Sequence, residues 1–232
     1  MKKDLITVPN LFTLFNLLCG FIAIFYAVTG KCLSAGMFIL LGTIFDFLDG
    51  YTSRLFHQQS DIGGQLDSFA DLTTFGLAPA VMVFASNHSS TGFIYKALLF
   101  LYLCAIVYRL ADYNTEKHGS AFQGLPSTFS GGFIAFTFIW APDFFSRPVS
   151  ALLFLGLAAL SVSNLPYAKI EIKKTASKIV LFFALLAGVV FKLYVLLFAI
   201  FGLYLLSGFL MLFKKPSPEE LPENLLHPGS QN

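Results

Sequence analysis

The sequence predicts an all-α polytopic membrane protein with about eight transmembrane helices, and three observations predict it. Hydrophobic residues make up 56% of the 232-residue chain and charged residues 12%, with a mean hydropathy of +0.73, against about 25% charge in soluble domains. Apolar stretches long enough to cross about 30 Å of hydrocarbon at 1.5 Å per residue follow one another along the chain. The basic residues between them fall mostly on one side of the alternating topology.

The first span covers residues 11–28. Lys2 and Lys3 ahead of it resemble the start of a secretory signal, but no boundary of small residues follows, so the stretch is expected to remain as a helix. Further spans are expected at 33–55, 65–86, 92–111, 127–140, 149–162, 176–191 and 193–213. Those at 127–140 and 149–162 are short, which predicts that one of them is tilted or interfacial. With the N-terminus in the cytoplasm, Lys2, Lys3, Arg54, Arg109, Lys117, Lys169, Lys173, Lys174, Lys178, Lys214 and Lys215 lie inside. Only Lys31, Lys96, Arg147 and Lys192 lie outside, and this eleven-to-four excess fits both the span count and the orientation. Residues 1–213 are read as one transmembrane domain, and 214–232, with four prolines and no apolar period, as a disordered cytoplasmic tail.

Other classes recede. A net charge of +2 without a basic tract gives no footing for nucleic acid. No Walker-type loop and no internal repeat occur. Cys19, Cys32 and Cys104 lack paired or metal-ligand spacing and read as small buried hydrophobes. The 28 Phe residues suit lipid contact and helix packing. Pro79 and Pro126 are expected to bend or start helices, and Asp61, His57 and His118 to sit in loops without chemistry.

The segment from 46 to 71 concentrates polar groups that this composition otherwise avoids. At about 100° per residue, Asp46, Asp49, Gly50 and Ser53 share one helical face, and Asp67 and Asp71 share a face of the next helix. A charge at the bilayer centre costs roughly 2.5–3.5 kcal/mol, so four aspartates together approach 10 kcal/mol, comparable with a whole protein's stability of about 5–15 kcal/mol. Arg54 alone cannot offset four carboxylates. One or two divalent ions can, and all-oxygen ligands favour Mg²⁺ or Mn²⁺. Ions held this way also grip phosphates, and Gly50 and Gly63 leave room for a close approach. Pairing with basic residues inside the bundle, or a cation path in a transporter, remain as alternatives. Asn10, Thr13 and Asn16 add a polar stripe on the first span that can contact a nucleotide or neighbouring helices. Arg109, near the inner end of the fourth, can bind an acceptor carboxylate or a lipid phosphate, or serve as an interfacial charge.

Asp46, Asp49, Gly50, Arg54, Gly63, Asp67 and Asp71 reproduce D-x2-D-G-x2-A-R-x8-G-x3-D-x3-D, with Ser53 in place of Ala. In this the chain resembles the CDP-alcohol phosphatidyltransferase family. Stretches at 9–20, 66–80, 109–114 and 124–126 make it most similar to the bacterial and archaeal phosphatidylserine-forming branch, over about the first 170 residues. Asp112 stands where that branch commonly has a basic residue. The resemblance implies a six-helix core with two added C-terminal helices, a homodimer, and a site at the cytoplasmic face of a bacterial membrane. It implies that Asp46, Asp49, Asp67 and Asp71 bind two metal ions, that Asp71 is also the general base, and that Gly50, Ser53, Arg54 and Gly63 line the CDP site; Asn10 and Thr13 of the polar stripe are expected to join the donor site. CDP-diacylglycerol and L-serine are the implied substrates, with glycerol phosphate, inositol phosphate or choline as alternative acceptors.

Overall fold

The computed structural model describes residues 7–56, 58, 60–87, 92–115, 124–145, 147–163 and 202. The chain divides into two units, Met1–Asn164 and Leu165–Asn232. In the first unit every regular element among the described residues is a helix, in agreement with the sequence. Helix α1 spans Val8–Val28 and starts ahead of the apolar run, because the Thr7 hydroxyl accepts from the Asn10 amide at 3.4 Å and Pro9 suits a first turn. It ends in a tight turn where Gly30 takes φ 77° and the Lys31 amide donates to the Tyr26 carbonyl at 2.8 Å. Helix α2, Cys32–Leu55, packs along it, with Phe45 stacked on Phe15 at 5.3 Å.

The third traverse is a continuous helical stretch of 26 residues, Asp61–Ser86, that changes pitch midway. Helix α3, Asp61–Asp71, is capped by Ser60, whose hydroxyl accepts from the Gly63 amide at 3.0 Å. Asp61 therefore belongs to a helical first turn, where its charge complements the dipole, and not to the loop expected from its polarity. A π-helical segment, Leu72–Leu77, follows immediately after Asp71, and α4, Ala78–Ser86, completes the traverse with Pro79 in its first turn. The wide turns are tied down on both sides: Thr74 donates to the Asn16 carbonyl at 2.9 Å and Tyr102 to the Phe75 carbonyl at 2.8 Å.

Helix α5 runs Phe93–Thr115, α6 Ser127–Trp140 and α7 Arg147–Val162, with a 3₁₀ turn at Pro142–Phe145 between the last two. Pro126 precedes α6, as expected of a helix start. The four long helical stretches, Val8–Val28, Cys32–Leu55, Asp61–Ser86 and Phe93–Thr115, are long and apolar enough to cross a membrane. Two shorter apolar helical stretches, Ser127–Trp140 and Pro148–Val162, accompany them. The spans expected at 176–191 and 193–213 and the tail at 214–232 lie outside the described residues, as do His57 and His118. Helix α6 has 14 residues, about 21 Å of rise, and tolerates that shortness because nine of the 14 are buried among other helices.

Among the described residues, many large apolar side chains are exposed while several polar ones are buried. On α1, Leu11, Leu14, Leu18, Phe21 and Phe25 are exposed while Asn10, Thr13 and Asn16 are buried, the distribution of an integral membrane protein. Cys19 and Cys32 are buried, but Cys104 is exposed on α5, beside an open apolar groove between that helix and α7. Close packing depends on Gly131: a Cβ there would lie 2.5 Å from Phe75 Cα and 2.7 Å from its carbonyl oxygen. Gly131→Ala is therefore expected to destabilise the bundle by about 1–3 kcal/mol. Thermal unfolding in detergent, followed by the fluorescence of the single tryptophan, Trp140 on the same helix, checks this; an unchanged midpoint would contradict the contact.

Candidate active site

Two helices deliver the carboxylates. Asp46 and Asp49 sit one turn apart on α2, while Asp67 and Asp71 sit one turn apart on α3. Helices α2 and α3 bring these faces together, so that one carboxylate oxygen each from Asp46, Asp49 and Asp67 lie within 4.8 Å of one another. Asp71 joins the cluster through a contact with Asp46. It is bound on both oxygens: Asn16 Nδ2 donates to Oδ1 at 3.2 Å and Ser127 Oγ to Oδ2 at 3.0 Å. Thr128 donates to Asp46 Oδ2 at 3.0 Å.

Asp49 and Asp71 are buried, Asp46 and Asp67 half-buried, and the four press against one another, an arrangement costly in charge repulsion and desolvation. Asp49 Oδ2 and Asp67 Oδ1 are buried with no hydrogen-bond partner among the described residues. Three mutually close, hard oxygen donors with lone pairs left over fit a metal ion, so this triad can hold one. The described residues bring no His or Cys into the group, which disfavours zinc.

Around the triad the structure gathers most of the other residues singled out from sequence. Asn10 and Thr13 are buried on the first turns of α1; Thr13 donates to the Pro9 carbonyl at 3.2 Å and faces Asp49. A Cβ on Gly63 would lie 3.0 Å from Asn10 Oδ1, so the glycine does permit a close approach, here by α1. Gly50 and Ser53 are half-buried, and Arg54 is exposed on the last turn of α2. Among the described residues, only the Arg54 guanidinium, at 3.5 Å, would meet a Cβ on Gly50. Arg109 is buried on α5, with Nη1 3.4 Å from Ser127 Oγ and its charge acting on Asp46. Ser127, Thr128 and the direct bond from Asn16 are additions to the set expected from sequence. The first two follow directly on the stretch at 124–126 that carries part of the family resemblance.

Comparison with known proteins agrees with this geometry. A family model described as CDP-alcohol phosphatidyltransferase matches residues 6–214. The chain is similar to a CDP-diacylglycerol–serine O-phosphatidyltransferase of Bacillus subtilis, 35% identical over 125 residues, 53% of this chain and 71% of the relative. An enzyme of the same name from Helicobacter pylori is 29% identical over 209 residues, covering 86% of this chain and 88% of its own. An archaetidylserine synthase of Methanothermobacter thermautotrophicus is 27% identical over 173 residues, 72% of this chain and 71% of that one. With the aspartate spacing, the helical bundle and a match over nearly the whole length in agreement, the chain belongs to the CDP-alcohol phosphatidyltransferase family.

Proposed function

We propose that the protein is a metal-dependent phosphatidylserine synthase, which transfers the phosphatidyl group of CDP-diacylglycerol to the hydroxyl of L-serine and releases CMP. The observation that carries this reading is the apposition of Asp46, Asp49 and Asp67 across two helices, within 4.8 Å, in a chain whose relatives bear that activity in their names. Asp46, Asp49, Asp67 and Asp71 would hold two Mg²⁺ or Mn²⁺ ions. When bound, such ions neutralise pyrophosphate charge and stabilise the leaving phosphate.

The chain's own groups do the rest. Gly50, Ser53, Arg54 and Gly63, with Asn10 and Thr13, receive the CDP moiety; Arg54 offers a planar fork of donors to phosphate oxygens. Arg109 meets an acidic group of substrate, the serine carboxylate or the lipid phosphate. Asp71 accepts the proton of the serine hydroxyl, whose oxygen attacks the lipid-side phosphorus as the bond to CMP breaks. Asn16 and Ser127 fix the direction of that carboxylate, since each binds one of its oxygens. Holding donor and acceptor together in a dry site supplies most of the acceleration. The enzyme works as a homodimer in a bacterial cytoplasmic membrane, with both termini and the site facing the cytoplasm. The eleven-to-four distribution of basic residues supports that orientation.

Purified protein with CDP-diacylglycerol, Mn²⁺ or Mg²⁺ and a panel of acceptors provides the test. CMP is expected with serine and to disappear on chelation with EDTA. Release only with glycerol 3-phosphate, inositol phosphate or choline would reassign the acceptor. Cation flux through proteoliposomes without CMP release would move the aspartates to a transport path.

A further inference from the structure

We propose that Ser127 is a positioning residue that keeps Arg109 and Asp71 one hydroxyl apart, leaving the cation for an acidic group of substrate and the carboxylate for the acceptor's proton. This rests on the reaction proposed above. Ser127 is the first residue of α6 and 2% exposed. A hydroxyl has one proton and two lone pairs. Ser127 Oγ spends its proton on Asp71 Oδ2 at 3.0 Å and accepts from Arg109 Nη1 at 3.4 Å. The helix-internal bond at this residue, from Ser130 Oγ at 2.9 Å, goes to the Ser127 backbone carbonyl, while the hydroxyl bonds to Asp71 and Arg109. The side chain's role is therefore between helices.

A guanidinium and a carboxylate attract strongly in an apolar bundle and pair through two parallel bonds when nothing intervenes. Arg109 comes from α5 and Asp71 from α3, and Asn16 of α1 holds the far oxygen of Asp71 at 3.2 Å. With the Ser127 hydroxyl removed, the near oxygen loses its donor and Arg109 is the adjacent donor able to replace it. Closing that gap blocks the oxygen that takes the proton and withdraws the cation from substrate. It also adds positive charge beside Asp46, where a metal ion competes for the same carboxylates.

The isosteric pair Ser127→Thr and Ser127→Val isolates the hydroxyl at constant volume, with Ser127→Ala as the deletion. Expected for Val and Ala are a kcat lowered about 10–100-fold, the usual cost of losing an outer partner of a liganding group, a raised serine KM and an unchanged CDP-diacylglycerol KM. Calorimetric Mn²⁺ binding should weaken about tenfold in Val and stay near wild type in Thr. The binding measurement needs no turnover, so a chain that does not use serine still tests Ser127. Thr and Val behaving alike, or both KM values moving together, would each overturn the inference, since each assigns the residue to packing; should Val fail to fold, Ser127→Ala against Ser127→Thr carries the same comparison, and equal Mn²⁺ affinity in those two overturns it.

Discussion

Asp71→Asn is expected to lower CMP release from CDP-diacylglycerol and serine by about 10²–10⁴-fold, the contribution of a positioned general base. The substitution keeps the size and shape of the side chain. Its amide oxygen can still accept from Asn16, and its amide nitrogen can donate to Ser127 once that hydroxyl rotates, so the three-helix contact around residue 71 persists. What disappears is an oxygen able to receive a proton. The measurement is steady-state CMP release at saturating Mn²⁺, with helicity and unfolding midpoint checked alongside. Turnover within threefold of wild type in a folded variant would remove Asp71 from proton transfer.

Asp49→Asn is expected to reverse sign with the metal, a pattern a merely structural residue does not give. Without metal, Asp49 is buried against Asp46 and Asp67 with one oxygen unpartnered among the described residues, so its charge costs stability. Neutralising it should make the EDTA-treated variant melt above EDTA-treated wild type. With Mn²⁺ the order should invert, because wild type gains about 2.7 kcal/mol at a hundredfold excess over Kd while the variant has lost a ligand. Its Mn²⁺ affinity should fall by more than about 10²-fold, beyond the 10–100-fold cost of losing an outer partner, and turnover with it. Melting curves of both proteins in EDTA and in Mn²⁺ settle the matter. Parallel curves would mean that Asp49 holds no metal.

The positions of the described apolar helices and the acidic cluster were legible for the same reason: hydrocarbon penalises polarity so heavily that both the apolar runs and the exceptions to them stand out. Helix starts were less so. Hydropathy is blind to polar first turns, so the Thr7 cap set α1 three residues ahead of the apolar run and Ser60 turned an expected loop into the start of α3. Among site residues, the stripe of Asn10, Thr13 and Asn16 was visible, but its division of labour was not. Asn16 reaches Asp71 because α1 crosses α3 at that level, a tertiary fact. Ser127 and Thr128 did not stand out, since a hydroxyl costs little in an apolar helix and resembles ordinary packing. Cys104 was misplaced because hydrophobicity alone does not tell a lipid-facing side from an interior one.

The π-helical segment had no signature in the sequence, yet it restricts how this protein can change. Each i→i+5 turn carries a residue beyond the α-helical count, so the stretch before Leu72 and the stretch after Leu77 are out of phase with a uniform helix. Deleting a single residue there would let the rod relax to regular pitch and rotate one half against the other by about 100°. Either the carboxylates of Asp67 and Asp71 would swing off their partners, or the membrane-facing surface of α4 would turn inward. Substitutions in this stretch can be absorbed one at a time, but its length cannot drift, and grafts or chimaeras should be joined outside Leu72–Leu77.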